Sequence, residues 1–382
     1  MSAKKLSDKL RTWIEIDAER AEKNLESFRG FLGPKVKIWG VVKSNAYGHG
    51  LVLYAKLLER TSIYGLAVDS AIEGLRLRRE GIRKPILVLG PVLPALLSES
   101  LKANLTLTVS SAEALSAMAK LNEPPTYHLK IDTGMHRQGF AVADLPRVIK
   151  VLARDKGKLG KTLTGVFTHF AAAKDINYPT YTERQFALFA KAIRLLEQAG
   201  FKNLMRHCAA SGGVLLSPKY HMDAVRVGMG LYGYYPSSEL ALQSAAPSSF
   251  RLKPVLSWRA VVSEIKTIES GEYVGYDLTE RVTRRTKLAV IPVGYWHGFS
   301  RALSSVGYVL VKARPARVLG RVSMDFIVLD VTGIGLRVGD TVTLLGREGG
   351  SVVDARLLSE ASHTTPYEFL TRLNPLMERV LI

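Results

Sequence analysis

Eight short apolar segments recur from about Lys37 to Gly228, and segments with a helical pattern separate each from the next. Most of them are apolar throughout rather than alternating, which is typical of strands buried on both faces of a sheet. In chain order they read VKIWGVVK, IYGLAV, PILVLG, LTLTV, YHLKID, LTGVFTH, LMRHCA and AVRVG. Eight such units predict an α/β fold, a (β/α)8 barrel of the TIM type.

The pattern changes after the eighth segment. The stretch PSSELALQSAAPSSF, from Pro236 to Phe250, is rich in Ser, Ala and Pro, and we interpret it as a linker. Beyond it, strand-like segments alternate with glycine-containing turns, which indicates a mostly antiparallel β domain. These patterns predict a barrel over residues 12–245 and a C-terminal β domain over 246–382, with 1–11 as an N-terminal extension.

Composition narrows the class of protein. The 382 residues are 47% apolar and include one cysteine, Cys208, which excludes an internal disulfide framework and favours a reducing cytoplasm. The start of the chain lacks the apolar stretch of a secretory signal. No segment reaches the ~18 uninterrupted apolar residues of a membrane span. A globular cytoplasmic protein is therefore expected.

The formal net charge of +19 raises the expectation of anionic partners, such as phosphorylated ligands, nucleic acid or anionic surfaces. The densest basic runs, Arg154 to Lys161 and Arg281 to Lys287, lack the interleaved aromatic residues of a nucleic-acid platform. Solvated loops and helix faces explain both runs more simply. Neither a nucleic-acid nor a membrane partner is predicted.

Polar residues cluster where the predicted barrel strands end, which is where the active sites of such barrels lie. They are Lys43 after the first strand, Lys130, Asp132, His136 and Arg137 at the fifth, His169 at the sixth, His207 and Ser211 at the seventh, and Arg226 at the eighth. If the amine of Lys43 is desolvated, it can attack an aldehyde. A lysine that simply extends from a strand end into solvent is the commoner case.

The loops after strands seven and eight commonly form a phosphate site in this fold. Here they contain SGG (Ser211 to Gly213) and GMG (Gly228 to Gly230), whose small residues let backbone N–H groups approach an anion. Tight turns that require glycine explain them equally well. A Schiff-base lysine together with a phosphate site suggests pyridoxal 5′-phosphate (PLP), and a phosphorylated sugar in an aldolase also fits.

Arg226 is a candidate for tuning such a cofactor. If it faces the pyridine nitrogen, it donates a hydrogen bond and keeps that nitrogen unprotonated, because arginine does not release its proton. The cofactor is then a weaker electron sink, which suppresses transamination and decarboxylation. A phosphate-binding or surface arginine is the alternative. His169 and His207 are expected to be core or supporting histidines rather than proton carriers.

Eight motifs follow one another along nearly the whole chain: VVKSNAYGHG, KIDTGMHRQGF, THF, VRVGMGLYG, VGYDLT, IPVGY, GRVSMD and TPYEFLTR. In this order they resemble the motifs of alanine racemases, and VKSNAYGHG and GRVSMD are the specific ones. The resemblance implies a PLP-dependent isomerase that interconverts L- and D-alanine and supplies D-alanine for peptidoglycan. It also implies a homodimer in which the partner completes each active site.

By position in these motifs, the resemblance implies that Lys43 carries PLP and acts as one catalytic base. Tyr276, reaching in from the second subunit, would act as the other base. The implied cofactor contacts are Tyr47, Arg137, His169, His207, Ser211, Arg226, Gly228, Met229 and Tyr367. The implied substrate contacts are Arg137, Tyr295 and Met324. Tyr295, Met324 and Asp325 would line the partner's side of the site, with the Met324 N–H near the substrate carboxylate. Lys130 falls where many members carry a carbamylated lysine, and no metal is implied.

The implied mechanism needs bases on opposite faces of a planar carbanion, one removing the Cα proton and the other returning one. A tyrosine has an ordinary pKa of ~10, so it needs a lower pKa or cationic neighbours to act as a base. Without the resemblance, a β-sheet tyrosine would be the simpler interpretation of Tyr276.

Four positions depart from the family pattern. Ala210 replaces an asparagine before the phosphate serine, and Lys174 replaces an acid near the entrance. Trp296 and His297 replace a small residue and an acid, whereas Arg301 still matches an entrance arginine. These changes predict an altered entrance charge, which affects substrate size and rate but not the type of reaction.

Three alternatives remain at this point. A racemase of related fold could act on serine or basic amino acids. A non-enzymatic PLP-binding barrel protein shares the strand-one lysine but lacks a second domain. A decarboxylase of related fold requires a cysteine in the C-terminal domain, whereas Cys208 lies in the barrel.

Overall fold

The computed structural model describes residues 8–154, 157–244 and 250–382. They group into two compact units. The barrel unit comprises Glu19–Ser44 and the described part of Tyr54–Lys253. The β unit comprises the described residues up to Ala18, with Asn45–Leu53 and Pro254–Ile382.

The strands are, in chain order, β1 Thr12–Ile16, β2 Lys37–Val41, β3 Gly65–Val68, β4 Ile86–Val88, β5 Leu105–Val109, β6 Tyr127–Asp132, β7 Phe140–Ala141, β8 Leu163–Phe167, β9 Met205–His207, β10 Ala224–Val227, β11 Leu256–Val261, β12 Glu264–Ile268, β13 Tyr273–Val274, β14 Glu280–Arg281, β15 Thr286–Ile291, β16 Tyr308–Val311, β17 Arg314–Leu319, β18 Ile327–Asp330, β19 Thr341–Glu348, β20 Ser351–Val353 and β21 Glu378–Leu381.

The α-helices are α1 Ala18–Leu32, α2 Lys43–Tyr47, α3 Leu51–Glu59, α4 Ala71–Arg79, α5 Leu97–Lys102, α6 Ala112–Ala119, α7 Leu145–Arg154, α8 Lys158–Thr162, α9 Pro179–Gln198, α10 Ser211–Leu216, α11 Ser238–Ser244, α12 Ala355–Ala361 and α13 Pro366–Thr371. Short 3-10 turns occupy Pro94–Leu96, Val142–Asp144, Pro218–Tyr220, Tyr276–Leu278, Tyr295–His297 and Arg301–Leu303.

Eight parallel strands form the sheet of the barrel unit, in the order β10-β2-β3-β4-β5-β6-β8-β9, with the short β7 beside β6. A bridge between Ala210 and Arg226 links the chain after β9 to β10, so the circle is nearly closed. All eight predicted strands are present, and the predicted barrel is confirmed. The strands are buried along most of their length, as their apolar composition requires.

The longest helix of this unit, α9, covers the outside of the barrel with one apolar face. It begins at Pro179, a residue that suits the first helical turn because its missing N–H has no partner there. Phe189, Ile193 and Leu196 are buried along it at helical spacing. Packing of this stripe holds the helix in place.

The β unit contains a mostly antiparallel sheet in the order β12-β15-β18-β17-β16-β19-β11-β1-β21, with β20 beside β19. The predicted β domain is therefore present. One boundary differs from the sequence analysis, which placed residues 12–16 with the barrel. β1 instead pairs antiparallel with β11 and parallel with β21, at Ile14↔Trp258 and Ile14↔Arg379. The predicted division into 12–245 and 246–382 otherwise stays a prediction.

The interpreted linker also differs in part. Ser238–Ser244 within it forms the helix α11, while 245–249 lie outside the described residues. Residues 155 and 156 of the basic run Arg154 to Lys161, and most of the predicted N-terminal extension, also lie outside them. In the part of the chain that is described, no helix is long and apolar enough to cross a membrane.

Candidate active site

Lys43 stands just after β2, at the start of α2, which is a single left-handed turn and not an ordinary right-handed helix. The four following residues, Ser44 to Tyr47, have φ of 54°, 56°, 51° and 51°, in the left-handed region. None is glycine, and each such residue costs roughly 1–2 kcal/mol. Two side chains maintain the turn: Glu73 Oε1 accepts from the Ser44 N–H at 2.7 Å, and Asn45 Oδ1 accepts from the Leu51 N–H at 2.9 Å. Strain maintained in this way is typical of functional sites.

The Lys43 ammonium has a carboxylate partner that the sequence analysis did not identify. Its Nζ donates to Asp69 Oδ1 at 2.9 Å, and the lysine side chain is 35% exposed. The Lys43 amine is therefore not fully desolvated, unlike the amine that attack on an aldehyde was expected to require. Asp69 directly follows β3, the strand next to β2. A carboxylate at the end of the adjacent strand could have predicted this contact from the sequence.

Further cations lie around this strand end. Lys130 on β6 is 6% exposed, and its Nζ donates to Gln138 Oε1 at 2.8 Å. Burial, reinforced by the charges of Arg226, Arg137 and Lys43, lowers the pKa of Lys130 to about 8. This mutual effect indicates a strongly positive site. Gln138 was not among the predicted site residues, although it directly follows Arg137 in the motif.

Arg226 on β10 is buried among neutral acceptors. Its Nη1 donates to His207 Nδ1 at 2.6 Å, and its Nη2 donates to the carbonyls of Thr168 and Cys208 at 2.7 and 3.0 Å. The guanidinium also stacks on the Phe167 ring at 5.2 Å. Burial lowers the pKa of Arg226 to about 10, so it keeps its proton at neutral pH.

A row of hydrogen bonds continues from Arg226 into the barrel. Because a guanidinium only donates, His207 accepts at Nδ1 and carries its proton on Nε2, which donates to His128 Nδ1 at 2.8 Å. Burial and the charge of Arg226 hold the pKa of His207 well below its ordinary value and lower that of His128 to about 3. Both are neutral supporting groups, as expected for His207.

His128 was missed, although it lies two residues before Lys130 and therefore on the same side of β6. Gly165 on the adjacent strand makes room for its ring, since a Cβ there would come within 2.6 Å of it. His169 is partly exposed, and its Nδ1 accepts from Arg226 Nη2 at 3.2 Å. Burial and the nearby cations hold its pKa well below the ordinary value.

The two glycine-containing loops meet at Ser211. The Ser211 Oγ accepts from the N–H groups of Gly228 and Gly230 at 3.2 and 3.4 Å. Met229 lies between them and is buried. Glycine at 230 is also required by packing, because a Cβ would come within 2.4 Å of the Phe28 ring. A hydroxyl and backbone amides gathered in one cationic barrel fit the phosphate of PLP.

Arg137 extends from a loop that Asp132 organises. Asp132 Oδ1 accepts from the N–H groups of Gly134, Met135 and His136 at 2.9, 3.0 and 3.1 Å. Arg137 itself is exposed, so its guanidinium is available for an anionic ligand.

The remaining candidates lie in the β unit. Tyr276 begins a short turn and is 68% exposed. The next residue, Asp277, has φ of 64° and lies 3.4 Å from Arg321 and 4.0 Å from Arg301. The turn that carries Tyr276 is thereby held by ion pairs to two arginines.

Tyr47 and Tyr367, both expected at the phosphate, have ring centroids 6.2 Å apart in this unit.

The segments that carry Tyr295 and Met324 are joined by backbone hydrogen bonds. Tyr295 N–H donates to the Ser323 carbonyl and Trp296 N–H donates to the Met324 carbonyl, both at 3.0 Å. A Cβ at Gly294 would lie 2.2 Å from the Ser323 carbonyl oxygen, so the close approach needs glycine. Tyr295 and Met324 are 43% and 55% exposed, which makes both available to a ligand or partner.

Comparison with known proteins now identifies the family. The family model "Alanine racemase, N-terminal domain" matches residues 16–236, and "Alanine racemase, C-terminal domain" matches 255–381. The chain belongs to the alanine racemase family. It is thus a racemase, an isomerase.

Full-length relatives agree. The alanine racemase of Leptospira interrogans serovar Lai is 35% identical over 99% of this chain and 97% of that protein, and the one from Halothermothrix orenii is 36% identical over 96% of each. Among solved structures, alanine racemase from Clostridium difficile 630 has a TM-score of 0.89 at 33% identity, covering 98% of this chain and 96% of that one. Bacillus anthracis alanine racemase with bound L-Ala-P has a TM-score of 0.89 at 32% identity, covering 97% and 95%.

The departures from the alanine racemase pattern are placed differently than expected. His297 is buried, and its Nδ1 accepts from the Gly294 N–H at 3.2 Å. Burial lowers its pKa, so it is a neutral group that closes its own turn rather than an entrance charge. Trp296 and Lys174 are exposed, and Ala210 precedes α10 without a side-chain cap. Only Lys174 among the described departures adds surface charge.

Proposed function

We propose that this chain interconverts L- and D-alanine with PLP, using Lys43 and Tyr276 as bases on opposite faces of the substrate Cα. The main support is the barrel itself, where a strand-end amine, several cations and a hydroxyl–amide cradle occur in one unit. The proposal includes a cytoplasmic location and supply of D-alanine for peptidoglycan, as inferred from family membership.

The hydrogen-bond donors of the barrel unit support the proposal that PLP binds there. Lys43 would hold PLP covalently, and the phosphate would be bound by Ser211 and the amides of Gly228 and Met229, with Tyr47 and Tyr367. When bound, PLP withdraws electrons from the substrate Cα and stabilises the charge left by proton removal. Arg226 is held by uncharged acceptors and keeps its proton, so toward a ring nitrogen it can only donate.

The chain's own groups move the proton. Tyr276 removes the Cα proton of L-alanine and Lys43 returns a proton to the opposite face; the reverse direction uses Lys43 first. Arg137 and, from the second copy, the Met324 N–H would hold the substrate carboxylate. Carbamylation of Lys130 belongs to the proposal because CO2 reacts with a neutral amine, and a pKa of about 8 supplies some neutral amine at neutral pH.

We place Tyr276 in the active site of a second copy. It is exposed in its own β unit, as are other large apolar residues of that unit: Leu278, Tyr295, Trp296, Met324 and Phe326 are all more than 40% exposed. Exposed apolar side chains in such number favour an interface. The proposed assembly is a homodimer with shared active sites.

The two-base assignment is tested by Cα deuterium exchange in D2O, followed by NMR for each alanine isomer. Tyr276→Phe should abolish exchange of L-alanine but leave Lys43 able to exchange the Cα proton of D-alanine. Borohydride fixation of PLP on Lys43 in the same variant is the control for cofactor binding. Equal loss for both isomers with PLP bound would mean that one base serves both faces.

The shared site is tested by mixing two inactive proteins, Lys43→Ala and Tyr276→Phe. In a hybrid dimer one site carries both changes and the other carries neither, so activity should reappear as subunits exchange. Mass spectrometry verifies the exchange. Absence of activity in verified hybrids would indicate that each site is built within one chain. Chiral chromatography with alanine, serine and lysine distinguishes alanine from the alternative substrates.

A further inference from the structure

The barrel unit has a cavity of about 1010 Å³ at the end where its strands begin, which we call the second cavity to distinguish it from the candidate active site. Lys37 starts β2, Met205 starts β9 and Asp223 directly precedes β10, and all three line the cavity. The candidate catalytic groups of this unit follow the other ends of the strands. Racemisation therefore gives this cavity no role, and the opening ends of barrel strands usually serve stability alone.

The cavity is lined by far more positive than negative charge. Its cations are Lys35, Lys37, Arg78, Arg83, Lys202 and Arg206, and its one carboxylate is Asp223. Asp223 is already occupied, since Arg206 donates to both of its oxygens at 2.7 and 2.9 Å. In residues 8–154, 157–244 and 250–382, none of the other five cations forms an ion pair with a carboxylate. Part of the unexplained net charge of +19 is concentrated here.

The carboxylates of Glu59 and Asp223 lie close enough to attract Arg78 and Lys37, but neither forms an ion pair with them. Arg78 donates only to carbonyl oxygens, those of Ala103, Ile82, Lys84 and Asn104, at 2.7–3.0 Å. Lys37 lies over the Tyr64 ring at 4.5 Å. Like charges around a concave surface repel one another and concentrate an attractive potential for anions.

The other lining groups suit a small organic phosphate. Thr106 and Thr126 share one hydrogen bond at 3.1 Å, so one of their two hydroxyls can donate to a ligand, and Asn104 and Asn203 contribute amides. Thr164 also lines the cavity, but its hydroxyl donates to the Tyr127 carbonyl at 3.3 Å. Trp39 and Tyr64, packed edge to face at 5.0 Å, add aromatic surface. The volume is at the upper end of the ~300–1,000 Å³ typical of small-molecule sites.

We infer that this cavity binds a small molecule bearing several phosphate charges. A nucleic acid fits less well, because the cations surround a concavity instead of following an extended groove with stacking aromatics. A single inorganic phosphate would neutralise only part of the charge. A polyphosphate chain or an organic polyphosphate can reach cations on several strand ends at once.

The test uses PLP-saturated protein and inorganic triphosphate as the probe, by isothermal titration calorimetry at constant ionic strength. We expect one site per chain with a Kd below ~1 mM, an affinity of at least ~4 kcal/mol. Arg83→Gln with Lys202→Gln should weaken binding at least about tenfold, because two charge-assisted contacts are lost. The visible absorbance of bound PLP, which should stay constant, excludes binding at the cofactor phosphate site.

The matched control is Lys191→Gln with Arg194→Gln, which removes the same charges from exposed positions on α9. It should leave the Kd within about twofold. Equal weakening by both pairs, no saturable binding, or tighter binding of a single-stranded oligonucleotide than of triphosphate would each overturn the proposal. If the double variant melts at a lower temperature, Lys35→Gln alone replaces it, with an expected loss of about threefold or more.

Discussion

The two ends of the barrel are both basic, but they hold their cations differently. At the end where strands finish, Lys130 and Arg226 are 6% and 3% exposed and are fixed by neutral acceptors. Where strands begin, Lys35, Arg83 and Lys202 are exposed. His128 lies between the two, lining the second cavity while it accepts from His207.

The difference shows that burial changes the pKa of a cationic side chain, and with it the ability of that side chain to exchange a proton. Burial at the end where strands finish lowers the pKa of Lys130 to about 8, so a fraction of this lysine is neutral near physiological pH. It also holds the supporting histidines neutral, which orients Arg226 as a fixed donor. The cations at the opposite end are exposed, which suits attraction of an anion more than proton transfer.

Replacement of one arginine at each end gives the largest expected contrast. Arg226→Met leaves the carbonyls of Thr168 and Cys208 without their donor in a buried site, at an expected loss of about 3 kcal/mol in the free energy of unfolding. Racemase activity should fall at least about a hundredfold, which corresponds to ~2.7 kcal/mol.

Arg206→Met removes a partly exposed pair with Asp223 and should reduce stability by about 1 kcal/mol or less, with activity nearly unchanged. Urea unfolding and steady-state kinetics on both variants make the comparison. Equal losses would contradict the assignment of different roles to the two ends.

A smaller effect is expected from the pH dependence of Lys130. The folded-state pKa of about 8 lies below the ordinary 10.5, so between these values the unfolded chain binds more protons. The free energy of unfolding should therefore rise with pH across this window, by at most about 3 kcal/mol. Lys130→Met should lack this rise relative to the parent protein. The measurement is urea unfolding from pH 7 to 10.5 in buffer freed of CO2, and parallel curves for the two proteins would be evidence against a shifted lysine.

The smallest effect is expected at the second cavity without ligand. Arg83→Gln with Lys202→Gln relieves repulsion between exposed cations, so stability should increase by about 0.5 kcal/mol at low salt. At about 1 M salt the gain should disappear because the screening length is only ~3 Å. Melting curves at both salt concentrations measure it, with Lys191→Gln/Arg194→Gln as the control. A gain that persists in high salt would show that repulsion is not its cause.

The sequence by itself determined the elements whose signal is local. The eight continuously apolar segments became eight barrel strands, because a strand buried on both faces needs apolar residues at every position. The rule that active groups lie at strand ends nominated Lys43, Ser211 and Arg226 as candidates, and their roles in catalysis and cofactor binding stay predictions. The motif series was enough to indicate the alanine racemase family.

Only the tertiary structure decided which distant groups meet. β1 joins strands more than 230 residues away, since pairing depends on free sheet edges and not on position along the chain. Asp69, Gln138 and His128 acquire their roles from neighbouring strands, and no local pattern marks a hydrogen-bond partner. His297 resembled an entrance charge in the sequence but is buried and neutral, because solvation is set by the folded surroundings of a side chain and not by its type.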